Sequence, residues 1–382
     1  GECAEPGTVK FAVTAELDPA SGNLALTSSF EPFDLMPFAG LAPPLNTARL
    51  LTGVLGGEVN VSLSPGKKVT WTANLIGEKF SADLRPGGRG KWQRKHLAAI
   101  RLKTGGSYDI SGESARISGL EAELPFLKLR LIKGAEWNVE GRDRVDLGLE
   151  VENLGEAARW GASLLDLSIE NADGGKFSIS LKASRNRRKA NALDVAASIG
   201  FSPLDLVPYA ALLPPRGNLR RLRGRLGGSA DVSFSPDRGV RWKADFSGKG
   251  LEAQFRTGRG EGWRALKLAT AGFRSEGRYD LPRGAAEVAS LEVDLPFATV
   301  RLPKKAFWNR RGKDDAELAV KITDLGPAAE VASALSGFSI NKGDFNKGDK
   351  LDLNIALSRD RRKKQELSVS GSAALDPIQV GP

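Results

Sequence analysis

The sequence predicts a mainly β chain: an elongated repeat of antiparallel strands with a few short helices. Three observations predict it. Apolar and polar residues alternate with period two in run after run. Clusters of Gly, Asp, Asn and Lys separate the runs, as turns require. The whole pattern then returns about 171 residues further on, which is the mark of a tandem repeat.

The repeat is legible residue by residue. Phe30-Glu31-Pro32-Phe33-Asp34-Leu35 returns as Phe201-Ser202-Pro203-Leu204-Asp205-Leu206. Gly53-Val54-Leu55-Gly56-Gly57 returns as Gly224-Arg225-Leu226-Gly227-Gly228. Trp71, Trp92, Tyr108 and Trp137 pair with Trp242, Trp263, Tyr279 and Trp308 at the same offset. Roughly two in five aligned positions are identical over about 126 residues, far beyond chance. A small insertion follows, after which Ser184-Arg185-Asn186-Arg187-Arg188 pairs with Ser358-Arg359-Asp360-Arg361-Arg362. The expected organisation is entry strands over 1–29, one unit over 30–200 and a second over 201–374. Residues 375–382 resemble the run from Phe201 to Pro208 and read as the start of a third copy in a longer parent.

Within a unit the strands follow in order. Val59, Val61 and Leu63 alternate with Asn60 and Ser62; Val69, Trp71, Ala73 and Leu75 alternate with Thr70, Thr72 and Asn74. Leu147, Leu149 and Val151 form another run, and Phe177, Ile179 and Leu181 another. Successive strand residues point to opposite sides, so each run has one apolar and one polar face. Many such runs in series imply an antiparallel meander with one apolar face. The apolar parity switches at Leu124-Pro125-Phe126 and again at Leu295-Pro296-Phe297. Proline cannot donate to a ladder, so a kinked strand is expected there. Two helical pieces are expected per unit. Asp34 and Asp205 stand where an N-cap belongs. Leu154 to Leu165 and Leu325 to Leu335 carry helix formers with apolar spacing of three and four.

Composition bounds the chemistry. Hydrophobic residues make up 41% and charged residues 27%, a foldable rather than disordered balance. One cysteine, Cys3, excludes an internal disulfide, and one histidine, His96, excludes schemes that need two imidazoles. No metal site or cofactor is expected. No apolar run approaches the roughly 20 residues of a spanning helix. The net charge of +10 points to an anionic partner or to a solvated face, since 46 acids are interspersed with 56 bases.

The acids that recur in both units, Asp109 with Asp280, Glu121 with Glu292 and Asp143 with Asp314, read as turn or polar-face residues rather than a convergent catalytic pair. His96 is matched by Lys267 and reads as a surface residue. Trp71 and Trp242 sit in apolar runs and read as core or groove lining. The basic segments carrying Arg185, Arg187 and Arg188, and Arg359, Arg361 and Arg362, read either as solvated hairpin tips or as phosphate contacts. Gly56-Gly57 and Gly227-Gly228 lack the lysine of a phosphate loop and read as turns or sheet bends.

Asn153-Leu154-Gly155-Glu156-Ala157-Ala158, with Gly174-Gly175-Lys176-Phe177-Ser178-Ile179-Ser180-Leu181 downstream, resembles a recurring pattern of the bacterial AsmA-like proteins. Asp324-Leu325-Gly326-Pro327-Ala328-Ala329, with Gly348-Asp349-Lys350-Leu351-Asp352-Leu353 downstream, resembles it equally. The resemblance implies a sheet curled into a trough, sometimes called a β-taco, similar in architecture to bridge-like lipid-transfer proteins. It implies a periplasmic site in the Gram-negative envelope, with a membrane anchor in the full-length parent. The implied role is non-enzymatic: binding or conducting lipids between inner and outer membranes, or supporting outer-membrane assembly. Phospholipid or another anionic lipid is the implied partner, alongside inner and outer membrane proteins, and no nucleic acid is expected. Candidate groove residues are Val69, Trp71, Leu75, Leu124, Phe126 and Leu129, with Val240, Trp242, Phe246, Leu295, Phe297 and Val300 in the second unit. The six arginines of the basic segments are the candidate headgroup contacts. The main alternative is a structural or adhesive β-repeat whose apolar face is closed by its own second sheet. A polysaccharide-active enzyme ranks last.

Overall fold

The computed structural model describes residues 10–36, 48–85, 92–139, 141–164, 174–186, 188, 192–209, 219–255, 264–336, 348–363 and 367–376. These residues form 19 strands of antiparallel sheet and two helices, a mainly β chain. They divide into two compact units at Val195/Ala196.

Unit 1 is a meander. Its strands are β1 (Phe11–Leu17), β2 (Leu24–Asp34), β3 (Ala48–Leu63), β4 (Lys68–Leu84), β5 (Gln93–Asp109), β6 (Ser114–Leu124), β7 (Leu127–Asn138), β8 (Arg142–Val151) and β9 (Phe177–Asn186). Each pairs antiparallel with the next. Helix α1 (Leu154–Leu164) lies between β8 and β9. Asn153 starts it: its Oδ1 accepts from Glu156 N at 3.0 Å, which satisfies one of the orphan donors of the first turn.

The division falls inside β10 (Ala192–Asp205). Unit 2 continues with β11 (Leu219–Ser235), β12 (Gly239–Phe255), β13 (Arg264–Asp280), β14 (Ala285–Leu295), β15 (Ala298–Arg301), β16 (Ala306–Asn309), β17 (Lys313–Ile322), β18 (Leu351–Asp360) and β19 (Leu367–Leu375). Helix α2 (Leu325–Ser336) follows β17. Asp324 Oδ1 accepts from Gly326 N at 3.2 Å, and Pro327 falls in the first turn, where its missing N–H costs nothing. Where unit 1 has one strand, β7, unit 2 has two, β15 and β16, both paired to β14 and β17. Pro303 stands in the gap in place of Ile132, and proline cannot donate to a ladder.

The helices begin where the apolar spacing places them, at Leu154 and Leu325. The parity switch has a different cause from the one expected. β6 ends at Leu124 and β7 begins at Leu127, with Leu124 and Leu127 paired across the turn. Leu295 and Ala298 pair in the same way. Pro125-Phe126 and Pro296-Phe297 are therefore tight hairpin turns, not kinks within one strand. The chain reverses there, which changes parity just as a kink does.

The other two expected caps, Asp34 and Asp205, are the last residues of β2 and β10, and each accepts from the N–H two residues on, Met36 at 2.9 Å and Val207 at 3.0 Å, the bond an N-cap side chain also makes. These are Asx turns, in which a short side chain bonds the backbone two residues on. The segments 37–47 and 210–218, Arg187, Trp263 and the third-copy residues 377–382 lie outside the described residues.

The repeat recurs in backbone detail. Lys79 and Gly250, at matching positions, both adopt positive φ, 54° and 58°. Leu35 N donates to Gly53 O at 2.8 Å, and Leu206 N to Gly224 O at 2.8 Å.

Candidate functional site

Residues paired across an antiparallel ladder share a face, so the register assigns every strand residue to one side of the sheet. In unit 1 one line runs Phe30, Gly57, Leu75, Leu102, Ala122, Leu129, Leu149, Ile179 from β2 to β9. Every member is apolar. A second line on the same face runs Leu26, Val61, Trp71, Gly106, Ile117, Ala135, Val145, Ala183. Unit 2 repeats the arrangement with Gly228, Phe246, Phe273, Val293, Val300, Val320, Leu353 and Ala373.

The opposite face is ionic. In unit 2, Asp245, Arg274, Glu292 and Arg301 stand in one row with alternating sign. Arg274 reaches Asp245 at 3.3 Å and Glu292 at 3.0 Å, and Arg301 reaches Glu292 at 2.6 Å. In unit 1, Lys128 pairs with Glu152 at 3.1 Å and Glu123 at 3.6 Å, and Arg130 pairs with Glu150. Each unit thus has one hydrocarbon side and one charged side.

The hydrocarbon side is not sealed. Buried apolar side chains among the described residues are few: Phe126, Val151, Leu206, Phe297, Ala298, Leu325 and Ala329. Val69, Trp71, Leu75, Leu124 and Leu129 are half-buried, as are Val240, Trp242, Phe246, Leu295 and Val300. Phe273, in the middle of its line, remains 39% exposed and Val232 44%. Strands of a closed sandwich bury their inward residues on a facing sheet about 10 Å away; the residues of this apolar face stay partly accessible.

The structure brings most of the candidate groove residues to this one side. Val69, Trp71 and Leu75 lie along β4, facing Tyr108, Gly106 and Leu102 of β5. Val240, Trp242 and Phe246 lie along β12, facing Tyr279, Gly277 and Phe273. Phe201, Phe246 and Phe273 form a ring stack, with centroids 5.8 and 6.4 Å apart. Trp242 turns its one polar atom inward: Nε1 donates to Ser275 Oγ at 3.2 Å.

Phe126 and Phe297 do not line an open wall. Both sit in the hairpin turns, 3% and 7% exposed. The Phe126 ring lies 5.8 Å from that of Trp160 on α1. These phenylalanines anchor structure at the ends of the strands.

The basic segments also divide. Arg359 belongs to β18 and is half-buried rather than at a hairpin tip. Arg361 holds Asp314 at 3.0 Å and lies over the Trp308 ring at 5.4 Å. Its charge is engaged within the unit, so it is not a free headgroup contact. Arg185, one residue before the end of β9, is exposed opposite Asp143; Arg188 and Arg362 are exposed.

The recurring acids serve turns and the polar face. Asp109 accepts from Gly112 N at 2.9 Å and Asp280 from Arg283 N at 3.0 Å. Asp143 accepts from Asn138 N at 3.4 Å and Asp314 from Asn309 N at 2.8 Å. His96 is exposed on β5. The described residues hold no group of three His, Cys, Asp or Glu side chains placed to bind a metal ion. No helix among them is long and apolar enough to cross a membrane.

No family model matches this chain, and neither the curated proteins nor the solved structures give a match.

Proposed function

We propose that the apolar face of each unit binds the acyl chains of lipids, and that the chain is a non-enzymatic lipid-binding or lipid-conducting segment. The observation that supports this best is the unbroken apolar line across β2 to β9, half-exposed along its length while the reverse side carries paired charges. The described residues leave such a surface partly accessible, and each methylene laid on it gains about 0.8 kcal/mol. Side chains on adjacent strands recur every 4.7–4.9 Å or so, close enough to make a continuous apolar path across the sheet. Sequence-independent burial of this kind needs no catalytic group.

The resemblance to AsmA-like proteins supports a setting for this activity: the Gram-negative envelope, with phospholipid passing between inner and outer membranes or outer-membrane assembly being supported. The test is lipid extraction and native mass spectrometry of the purified chain. Acyl lipid co-purifying in stoichiometric amount is the expected result. A lipid-free chain that associates with itself through its apolar faces overturns the reading in favour of a structural or adhesive repeat.

A further inference from the structure

The charged side of unit 2 holds a cleft of about 540 Å³ whose walls include Ser198, Asp231, Ser233, Arg241, Lys243 and Arg278. The matching positions of unit 1 also form a cleft, of about 240 Å³, walled by Thr27, Asn60, Ser62, Thr70 and Thr72. Position 107, the counterpart of Arg278, is a serine. One backbone design is therefore built twice, once with neutral polar residues and once with charges. The fold does not require those charges.

Their arrangement is unbalanced. Arg241 stands directly across the ladder from Arg278. Like charges in directly opposed positions repel. Arg278 is neutralised by Glu287 at 2.6 Å, but Glu287 also takes Lys305 at 2.9 Å. One carboxylate serves two cations. Lys243 stands between Asp231 and Glu276 in register, and with both acids counted the charged residues lining the cleft still sum to one positive charge. Arg241 is exposed and has no ion-pair partner among the described residues, whereas Arg274, Arg278 and Arg301 on the same face all have one. Ser233 lies directly opposite Arg241 on its other side, a hydroxyl donor beside the guanidinium.

The geometry points to Arg241, Arg278 and Ser233 as a binding site for a phosphate group, carried either by free phosphate or by a lipid headgroup. A tetrahedral oxyanion accepts two parallel bonds from one guanidinium and further bonds from a second guanidinium and a hydroxyl. It also supplies the missing negative charge between two opposed arginines. The site lies on the side of the sheet away from the apolar face, so it stands or falls independently of acyl-chain binding.

The test uses the full chain with Arg241→Thr, Arg278→Ser and the double variant. These are the residues the same backbone carries in unit 1, so the fold tolerates them. Arg238→Ala, in the exposed turn between β11 and β12, controls for loss of charge alone. Inorganic phosphate is titrated calorimetrically. In parallel, flotation is measured with vesicles of phosphatidylglycerol and phosphatidylcholine, and of phosphatidylcholine alone. Either single substitution is expected to weaken binding about tenfold or more, as loss of a charge-assisted hydrogen bond does, and Arg238→Ala to leave it unchanged. Saturable phosphate binding with this pattern identifies free phosphate. Substitution-sensitive flotation with phosphatidylglycerol but no calorimetric signal identifies the headgroup. Absence of both signals, or binding unaltered in the double variant, overturns the site.

Discussion

Trp242 lies flat over Gly277: a methyl group added at Gly277 would stand 2.4 Å from Cζ2 of the indole. The relationship is repeated in unit 1, where Trp71 covers Gly106 at 2.5 Å. Glycine on the neighbouring strand lets each indole lie down along the sheet rather than stand away from it. The wide apolar floor of each unit depends on this pairing.

Gly277→Ala is accordingly expected to lift Trp242, break its bond to Ser275 and destabilise unit 2 by about 1–3 kcal/mol, the usual range for overpacking. Urea unfolding of the full chain measures the loss. Gly106→Ala should behave alike in unit 1. The added methyl would also stand 2.6 Å from the Glu287 carbonyl oxygen, and in unit 1 2.5 Å from that of Arg116, so no change in either variant would mean that both the indole and the neighbouring backbone move aside.

Phe126→Ala tests the anchoring role. Truncating a buried phenylalanine costs roughly 3–5 kcal/mol. Leu102→Ala, on the half-exposed line, should cost less than about 2 kcal/mol, because much of that side chain already meets solvent. Amide hydrogen exchange should show α1 losing protection in Phe126→Ala and keeping it in Leu102→Ala.

The anchoring turns show why some features were legible in the sequence and others were not. Alternation assigned the strands, and spacing of three and four assigned the helices at Leu154 and Leu325, because both signals are local. The parity switch at Pro125 was visible too, but parity alone does not distinguish a kink from a reversal of the chain. Long-range partners left no local trace. Arg361 reads as a loop charge until the fold brings Asp314 and Trp308 beside it. The same holds for the ionic rows: Asp245, Arg274, Glu292 and Arg301 lie far apart in the chain and become neighbours only through register. The shared face of Val69, Trp71 and Leu75, and of Val240, Trp242 and Phe246, was readable because they alternate, whereas Phe126 and Phe297 sit in turns, where alternation carries no meaning.

The ionic side makes stability depend on pH. Bonds from Lys305 and Arg278 hold the Glu287 carboxyl below the ordinary carboxylate range, outweighing its partial desolvation. A depressed folded-state pKa contributes stability that is present above the unfolded value, near 4.5, and lost as pH falls through the folded value. Glu287→Gln should therefore be less stable than the parent at pH 7, with the difference shrinking as pH drops below that point. Urea midpoints across the acid range measure it. A difference that stays constant with pH would contradict the assignment.

The most direct test of the two-sided sheet uses neighbouring positions on β5. Leu102 lies on the apolar line and Lys103 on the charged row, one residue apart and facing opposite ways. A photo-reactive phenylalanine analogue is placed at one or the other position, the chain is exposed to phospholipid vesicles and irradiated, and covalent lipid adducts are quantified by mass spectrometry. The account predicts lipid adducts from position 102 and few from position 103. Equal labelling at the two positions, or labelling only from 103, would contradict it.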